Sequence, residues 1–304
     1  MVQNSSRPLL RALPCAHGPG TLGGIKLMHC FSQASVRALA GGAFLALGLV
    51  PLPAAPQTPA EKPQNSLEIR APGKGEEKAY KAFQHFQSVP ESDTAKKVAE
   101  GEGFTDKFPT STYAGYVYSY LAVAYIQAGQ VDKGVATGEK ALRINPSDFR
   151  TMAVLSQTLA RTAANPAPDS DAKLAKAETD AKNAIVGVAT WVKPDAMPEA
   201  NFTALKNGTL TMAHASLGLI ALHKNNFAAA VPELEQAVQL AAPDSANTDP
   251  TNYYLLGVAQ QNSGHPDKAI PNFEKCAAVK GTNLTATCVV LLDQSKKDAE
   301  SKTK

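Results

Sequence analysis

A pair of spacings recurs along this chain and limits what it can fold into. Intervals of 13 and then 7 residues separate three sets of positions: Leu121, Gly134 and Ala141; Leu217, Ala230 and Ala237; Leu256, Ala269 and Cys276. A large residue on one helix facing small residues on the next lets two helices approach closely. Each such pair leaves an apolar face that only a neighbouring pair can bury. The pattern therefore predicts stacked pairs of helices.

The composition favours the same fold class. Hydrophobic residues make up 44% of the 304 residues, whereas aromatic residues make up only 6% and alanine is abundant. Small side chains suit helix-on-helix packing, and no stretch alternates apolar and polar residues as a half-buried strand would. The pattern is helical almost throughout from Glu76 to about Lys296. We expect an all-α protein.

Three segments carry the repeat most clearly, namely residues 118–146, 217–238 and 253–279. They resemble the tetratricopeptide repeat family, and the leader and repeat style resemble those of its exported bacterial members. The resemblance covers most of residues 76–282 and is weaker in 76–109 and 149–188. It implies a right-handed superhelix of about four helix pairs with a C-terminal capping helix, within a repeat domain of residues 76–298. Residues 299–304 would form a polar tail.

Two insertions depart from the repeat. Nine extra residues separate Leu155 from Ala177, and 19 extra residues separate Ala184 from Leu217. The longer insertion contains Trp191, Pro194 and Pro198. We interpret it as a loop followed by an N-terminal extension of the helix that holds Leu217, because proline suits the first turn of a helix.

The N-terminal residues 1–55 are typical of a signal peptide. Arg37 precedes a 13-residue apolar run at 38–50, which is followed by small residues and prolines. That run is shorter than the ~20 residues that span a bilayer. We expect cleavage near Ala54 or Ala55, export to the periplasm or the medium, and no membrane span in the mature chain. An uncleaved anchor and a buried helix are the alternatives, and Met28 is a possible true start.

The charge is concentrated in the same leader. Residues 1–55 hold four Lys or Arg and no Asp or Glu, so the net charge of +3 becomes −1 without them. A near-neutral body offers no electrostatic basis for binding nucleic acid. Residues 56–75, which are rich in Pro, Gln, Lys and Gly, are interpreted as a flexible linker.

Two cysteines remain after removal of the leader. Cys276 lies five residues before Gly281, where its helix should end, and Cys288 lies five residues after Asn283, a plausible N-cap. Antiparallel helices joined by this short turn would place the two thiols opposite each other. An exported chain is in an oxidising compartment, so we predict a disulfide. Two buried thiols packing as small apolar groups are the alternative.

Signatures of catalysis are missing from the sequence. No His-Glu-x-x-His, phosphate-binding glycine loop or Gly-x-Ser-x-Gly occurs, and the histidines after residue 55 lack a partner at helical spacing. We therefore expect no enzyme activity, no cofactor and no metal.

The family resemblance directs attention to the concave groove, where its members bind an extended peptide or a partner helix. The repeat register places these residues along that groove: Tyr116, Gln127, Arg150, Gln157, Arg161, His223, Tyr254 and Gln261. The resemblance implies a scaffold that binds a peptide or partner protein. The alternative is a structural module that associates with copies of itself and has no peptide ligand.

Overall fold

The computed structural model describes residues 71–90, 92–163, 168–241 and 249–302, all within one compact unit that spans 65–304. The predicted signal peptide and most of the predicted linker lie outside these residues. The described residues form eleven α-helices and no strand, which confirms the all-α fold class. The helices are α1 (Glu77–Ser88), α2 (Thr94–Lys107), α3 (Ala114–Gln127), α4 (Val131–Ile144), α5 (Phe149–Thr162), α6 (Ser170–Ala189), α7 (Glu199–His223), α8 (Phe227–Leu240), α9 (Thr251–Asn262), α10 (Pro266–Ala278) and α11 (Leu284–Lys302).

Consecutive helices pack as pairs, from α1 with α2 to α9 with α10, and α11 packs on α10 as a terminal capping helix. The pairs number five, whereas the sequence indicated about four. The first of the five, α1 with α2, falls in residues 76–109, one of the two segments in which the resemblance is weaker. The terminal helix continues to Lys302, so residues 299–302 of the predicted polar tail are helical.

The small residues of the repeat lie between paired helices, as the spacing predicted. Ala141, Ala230, Ala237, Ala269 and Cys276 are all buried. The two helices of a pair come closest at the glycine that follows the large residue of the repeat. At Gly257, an added Cβ would lie 2.6 Å from Cε1 of Phe273, so α9 and α10 touch there through backbone and ring.

The turns between paired helices have the geometry that their residues favour. Gly129 adopts a φ of 77° just after α3, and its neighbour Gln130 donates its backbone N–H to the carbonyl of Tyr125 at 2.8 Å. This is the Schellman arrangement, which needs a left-handed residue at the helix end. Asn225 and Gly264 take positive φ at the ends of α7 and α9 in the same way.

The longer insertion is a loop anchored by its tryptophan. Residues 190–198 join α6 to α7, whose N-cap is Pro198, and the predicted extension of α7 is confirmed because this helix has 25 residues. Trp191 is buried, with its ring centroid 5.2 Å from Phe149 and 4.6 Å from Phe202. The loop therefore closes over α5 and the start of α7. None of the helices described is long and apolar enough to cross a membrane.

Candidate functional site

One cavity crosses the first helices of four successive pairs. It is partly open to solvent and receives residues from α1, α3, α5 and α7. Its apolar lining is formed by Phe83, Tyr116, Tyr120, Val123, Val154 and Met212. The ring centroids of Phe83 and Tyr116 are 6.1 Å apart, so α1 and α3 build a shared aromatic wall. We call this the first-helix pocket.

The acidic residue of the first-helix pocket is internally satisfied. Asp148, the N-cap of α5, is buried, and its Oδ1 accepts the backbone N–H of Thr151 at 3.2 Å. Its Oδ2 accepts the hydroxyls of Thr151 at 2.8 Å and of Ser119 at 2.7 Å. A carboxylate that accepts three hydrogen bonds in this way holds α5 against α3 and has little remaining capacity for a ligand.

The cation of the same pocket is in the opposite situation. Arg150 is half-buried, and its guanidinium forms no ion pair or hydrogen bond with any residue in the described ranges. It is the second residue of α5, next to the positive end of that helix, where a cation is disfavoured. The pocket thus combines an apolar aromatic wall with a positive charge that has no ion-pair partner among the residues that the structure describes.

The eight residues predicted for the groove have different surroundings in the structure. Tyr116 and Arg150 line the first-helix pocket. Gln127 is exposed at the end of α3, and Gln157 is half-buried on α5, both outside the pocket lining.

Arg161 and His223 join α5 to the elements that follow it. Arg161 Nη2 lies 3.4 Å from Oδ2 of Asp249, just before α9. His223 Nε2 donates to the carbonyl oxygen of Ala160 at 3.0 Å, whereas its buried Nδ1 has no partner among the described residues. Burial lowers the pKa of His223, because an imidazole removed from water is less easily protonated. Arg161 and His223 therefore both take part in contacts between helices or loops of the protein itself.

Tyr254 and Gln261 lie further along, on α9. Tyr254 packs against the apolar cluster between α7, α8 and α9, and this burial raises the pKa of its phenol. The amide of Gln261 donates to Oδ2 of Asp298 at 2.5 Å and accepts from the hydroxyl of Ser295 at 2.8 Å. The capping helix α11 therefore covers Gln261 instead of leaving it on an open groove.

Several pocket residues were not among the predicted ones. Phe83 belongs to the first pair, whose repeat pattern is weak, and Met212 precedes the recognisable repeat on α7. Tyr120 and Val123 are on α3, in which the cluster of tyrosines was the available signal. In the part of the chain that the structure describes, no group of three His, Cys, Asp or Glu is placed to hold a metal ion.

The predicted disulfide is present between α10 and α11. Cys276 and Cys288 are joined with their Cα atoms 5.9 Å apart, and both are fully buried. The bond ties the capping helix to the last helix pair.

Comparison with known proteins bears on the C-terminal half. No curated protein sequence matches the chain. A solved structure described as an assembly chaperone of RpL4 (Acl4, residues 1–338) is similar with a TM-score of 0.45 and 9% identity, over 74% of this chain and 98% of that chain. The family model described as tetratricopeptide repeat matches residues 213–244 and 250–283, which contain two of the three segments that carried the resemblance. The similarity to the tetratricopeptide repeat therefore extends from the second half of α7 through α10.

Proposed function

We propose that this protein is an interaction scaffold that binds a segment of a partner protein in the first-helix pocket. The observation that carries the proposal is the aromatic cavity that crosses α1, α3, α5 and α7 and includes Tyr116 and Arg150. A surface built from successive first helices is elongated, which suits a peptide or helix better than a small molecule. The tetratricopeptide repeats support binding of another protein. No catalytic group is needed for this role.

Site-specific photocrosslinking in the producing cell tests the proposal. A benzophenone amino acid is placed at Val123 or at Val154, both of which line the pocket. The control position is Val186 on α6, which is 64% exposed and is not a pocket residue. We expect the same partner protein to be crosslinked from both pocket positions and not from Val186. Identical adducts from all three positions would reject the pocket as the binding surface.

We also propose that the protein is exported to the periplasm or the medium. The support is the leader of residues 1–55, together with a disulfide of the kind that persists in oxidising compartments. Mass spectrometry of the protein purified from its native host tests this proposal. We expect an N-terminus near residue 55, and recovery of an intact Met1 would contradict export with cleavage.

Self-association is the alternative function, and one feature favours it. Val289 and Val290 are neighbours on α11 and are 52% and 53% exposed. Apolar neighbours at the surface of a terminal helix are suited to packing against another copy. Light scattering at micromolar concentration tests the alternative. A dimer that becomes monomeric on changing both valines to lysine would favour self-association, whereas a monomeric wild-type protein would exclude it.

A further inference from the structure

We infer that the first-helix pocket recognises a bulky apolar side chain that has a carboxylate one or two residues away in the same peptide. This inference rests on the proposed function, because it specifies the chemistry of the partner segment that the pocket would bind. It follows from the combination of an apolar wall with Arg150, which has no ion-pair partner within residues 71–90, 92–163, 168–241 and 249–302.

The wall of the pocket sets the first requirement. Tyr120 contacts Phe86 beneath it in an edge-to-face arrangement with centroids 6.0 Å apart, and Val123, Val154 and Met212 complete the apolar lining. Such a surface gains free energy when a bulky apolar group displaces water from it. A small or polar side chain would leave the wall hydrated.

The charge of the pocket sets the second requirement. Asp148 directs its carboxylate oxygens toward Thr151 and Ser119 and forms no ion pair with Arg150. None of the other described residues that line the pocket is acidic. A guanidinium presents a planar set of donors that matches a carboxylate with two parallel hydrogen bonds. Arg150 is therefore available to pair with an anionic group of the ligand.

The position of Arg150 in its helix determines how its role can be tested. A cation in the first turn of α5 is repelled by the helix dipole, and an acidic residue there would be favoured. Arg150→Glu relieves this repulsion and should not destabilise the fold. A change in peptide binding by this variant can therefore be attributed to the side chain at position 150.

The spacing between the two ligand groups follows from the shared cavity. Arg150 and Val154 are one helical turn apart on α5 and line the same pocket. Successive residues of a peptide are 3.8 Å apart, and residues i and i+2 of an extended peptide share a face. The apolar and acidic residues of the ligand are thus neighbours or are separated by one residue.

Selection from a random nonapeptide phage library tests the inference. The wild-type protein and the variants Arg150→Glu and Arg143→Glu are the baits, since Arg143 is an exposed arginine on α4 outside the pocket. We expect wild type and Arg143→Glu to enrich an apolar residue with Asp or Glu within two positions. Arg150→Glu should instead enrich Lys or Arg at the acidic position.

Fluorescence anisotropy measures the affinity of wild type and of Arg150→Gln for the best selected peptide. We expect Arg150→Gln to weaken binding about tenfold, and replacement of the peptide carboxylate by its amide to weaken binding by wild type equally. On Arg150→Gln, the same peptide change should have almost no further effect, because the two groups form one interaction. Circular dichroism of each variant confirms that the helical fold is retained.

The outcomes separate this inference from the function on which it rests. Selection of the same peptides by wild type and Arg150→Glu would overturn the carboxylate requirement and leave peptide binding in the pocket intact. Failure to enrich any peptide, or undiminished binding by Val123→Lys, whose new side chain would obstruct the wall, would overturn the pocket itself. Binding that persists at full affinity in Arg150→Gln would likewise reject the role of the arginine.

Discussion

The side chain of Leu234 on α8 occupies the space into which a Cβ at Gly218 on α7 would project. Gly218 follows the large residue of the second repeat set, and Leu234 lies between the two small residues of that set, Ala230 and Ala237, on α8. Leu234 is fully buried and meets the glycine through Cγ, near the base of its side chain, so it has little freedom to move away.

Gly218→Ala should therefore destabilise the protein although alanine is the better helix former. Overpacking of a tight helix contact costs about 1–3 kcal/mol, which exceeds the ~1 kcal/mol that alanine gains in helix propensity. The matched control is Gly208→Ala in the same helix, where nothing lies within 4 Å of the new methyl group. That change should stabilise the protein by up to about 1 kcal/mol. Urea unfolding followed by circular dichroism measures both, and equal shifts would contradict the close packing of α7 on α8.

Lys97 provides a second prediction, about the first helix pair. It is buried, and its Nζ donates to the carbonyl oxygens of Phe86 at 2.9 Å and of Val89 at 3.0 Å, at the C-terminal end of α1. The same Nζ lies 4.3 Å from the ring centroid of Phe86. Lys97→Met should lower the free energy of unfolding by about 1–3 kcal/mol, because buried carbonyl groups lose their donor.

The neighbouring exposed lysine is the control for this change. Lys96→Met should shift the free energy of unfolding by no more than about 0.5 kcal/mol, as is usual at the surface. Hydrogen exchange adds spatial resolution, since residues 77–88 should lose protection in Lys97→Met alone. Unchanged protection of α1 would show that Lys97 does not hold its C-terminal end.

The disulfide leads to a third prediction. The two cysteines are separated by 12 residues, and closing such a loop stabilises a protein by about 3 kcal/mol in the chain-entropy description. The double variant Cys276→Ala/Cys288→Ala should unfold at correspondingly lower urea concentration, with increased hydrogen exchange in 284–302. Thiol titration of the denatured exported protein should find no free thiol once residues 1–55 are removed. Two free thiols in that protein would exclude the bond.

A fourth prediction concerns the pH dependence contributed by His223. Burial lowers the pKa of this histidine in the folded protein, so the unfolded chain binds a proton at a higher pH than the folded chain does. The stabilisation from the neutral imidazole is therefore present above about pH 6.5 and is lost as the pH falls from that value toward the lower folded pKa. Wild type should lose more stability than His223→Gln between pH 7.5 and pH 5. If the unfolding midpoints of the two proteins change equally between pH 7.5 and pH 5, His223 does not contribute this pH dependence.

Much of the fold was predictable because its determinants are local. The positions of large and small residues follow the helical period, and Gly129 and Gly264 mark turns through their backbone freedom alone. The pairing of Cys276 with Cys288 was predictable for the same reason, since a short turn joins the two helices that hold them.

The candidate site was harder to predict from the sequence than the fold. Tyr116 and Arg150 were predicted for the binding surface and do line one pocket, but Phe83 and Met212, which share it, lie outside the clear repeats. Gln261 occupies a groove position in the repeat register, but Ser295 and Asp298 of α11 take up its amide. The terminal helix α11 is not part of a repeat. The repeat register therefore cannot predict that α11 covers residues of the last helix pair.

By itself, the sequence determined that the chain forms stacked helix pairs, because close helix contacts require small residues at fixed helical intervals. Only the tertiary structure decided which charges remain unpaired. Arg161 meets Asp249 across 88 residues of chain, whereas Arg150 meets no carboxylate among the described residues. The two arginines are both on α5, and their environments differ because successive pairs bring different distant residues to each end of that helix.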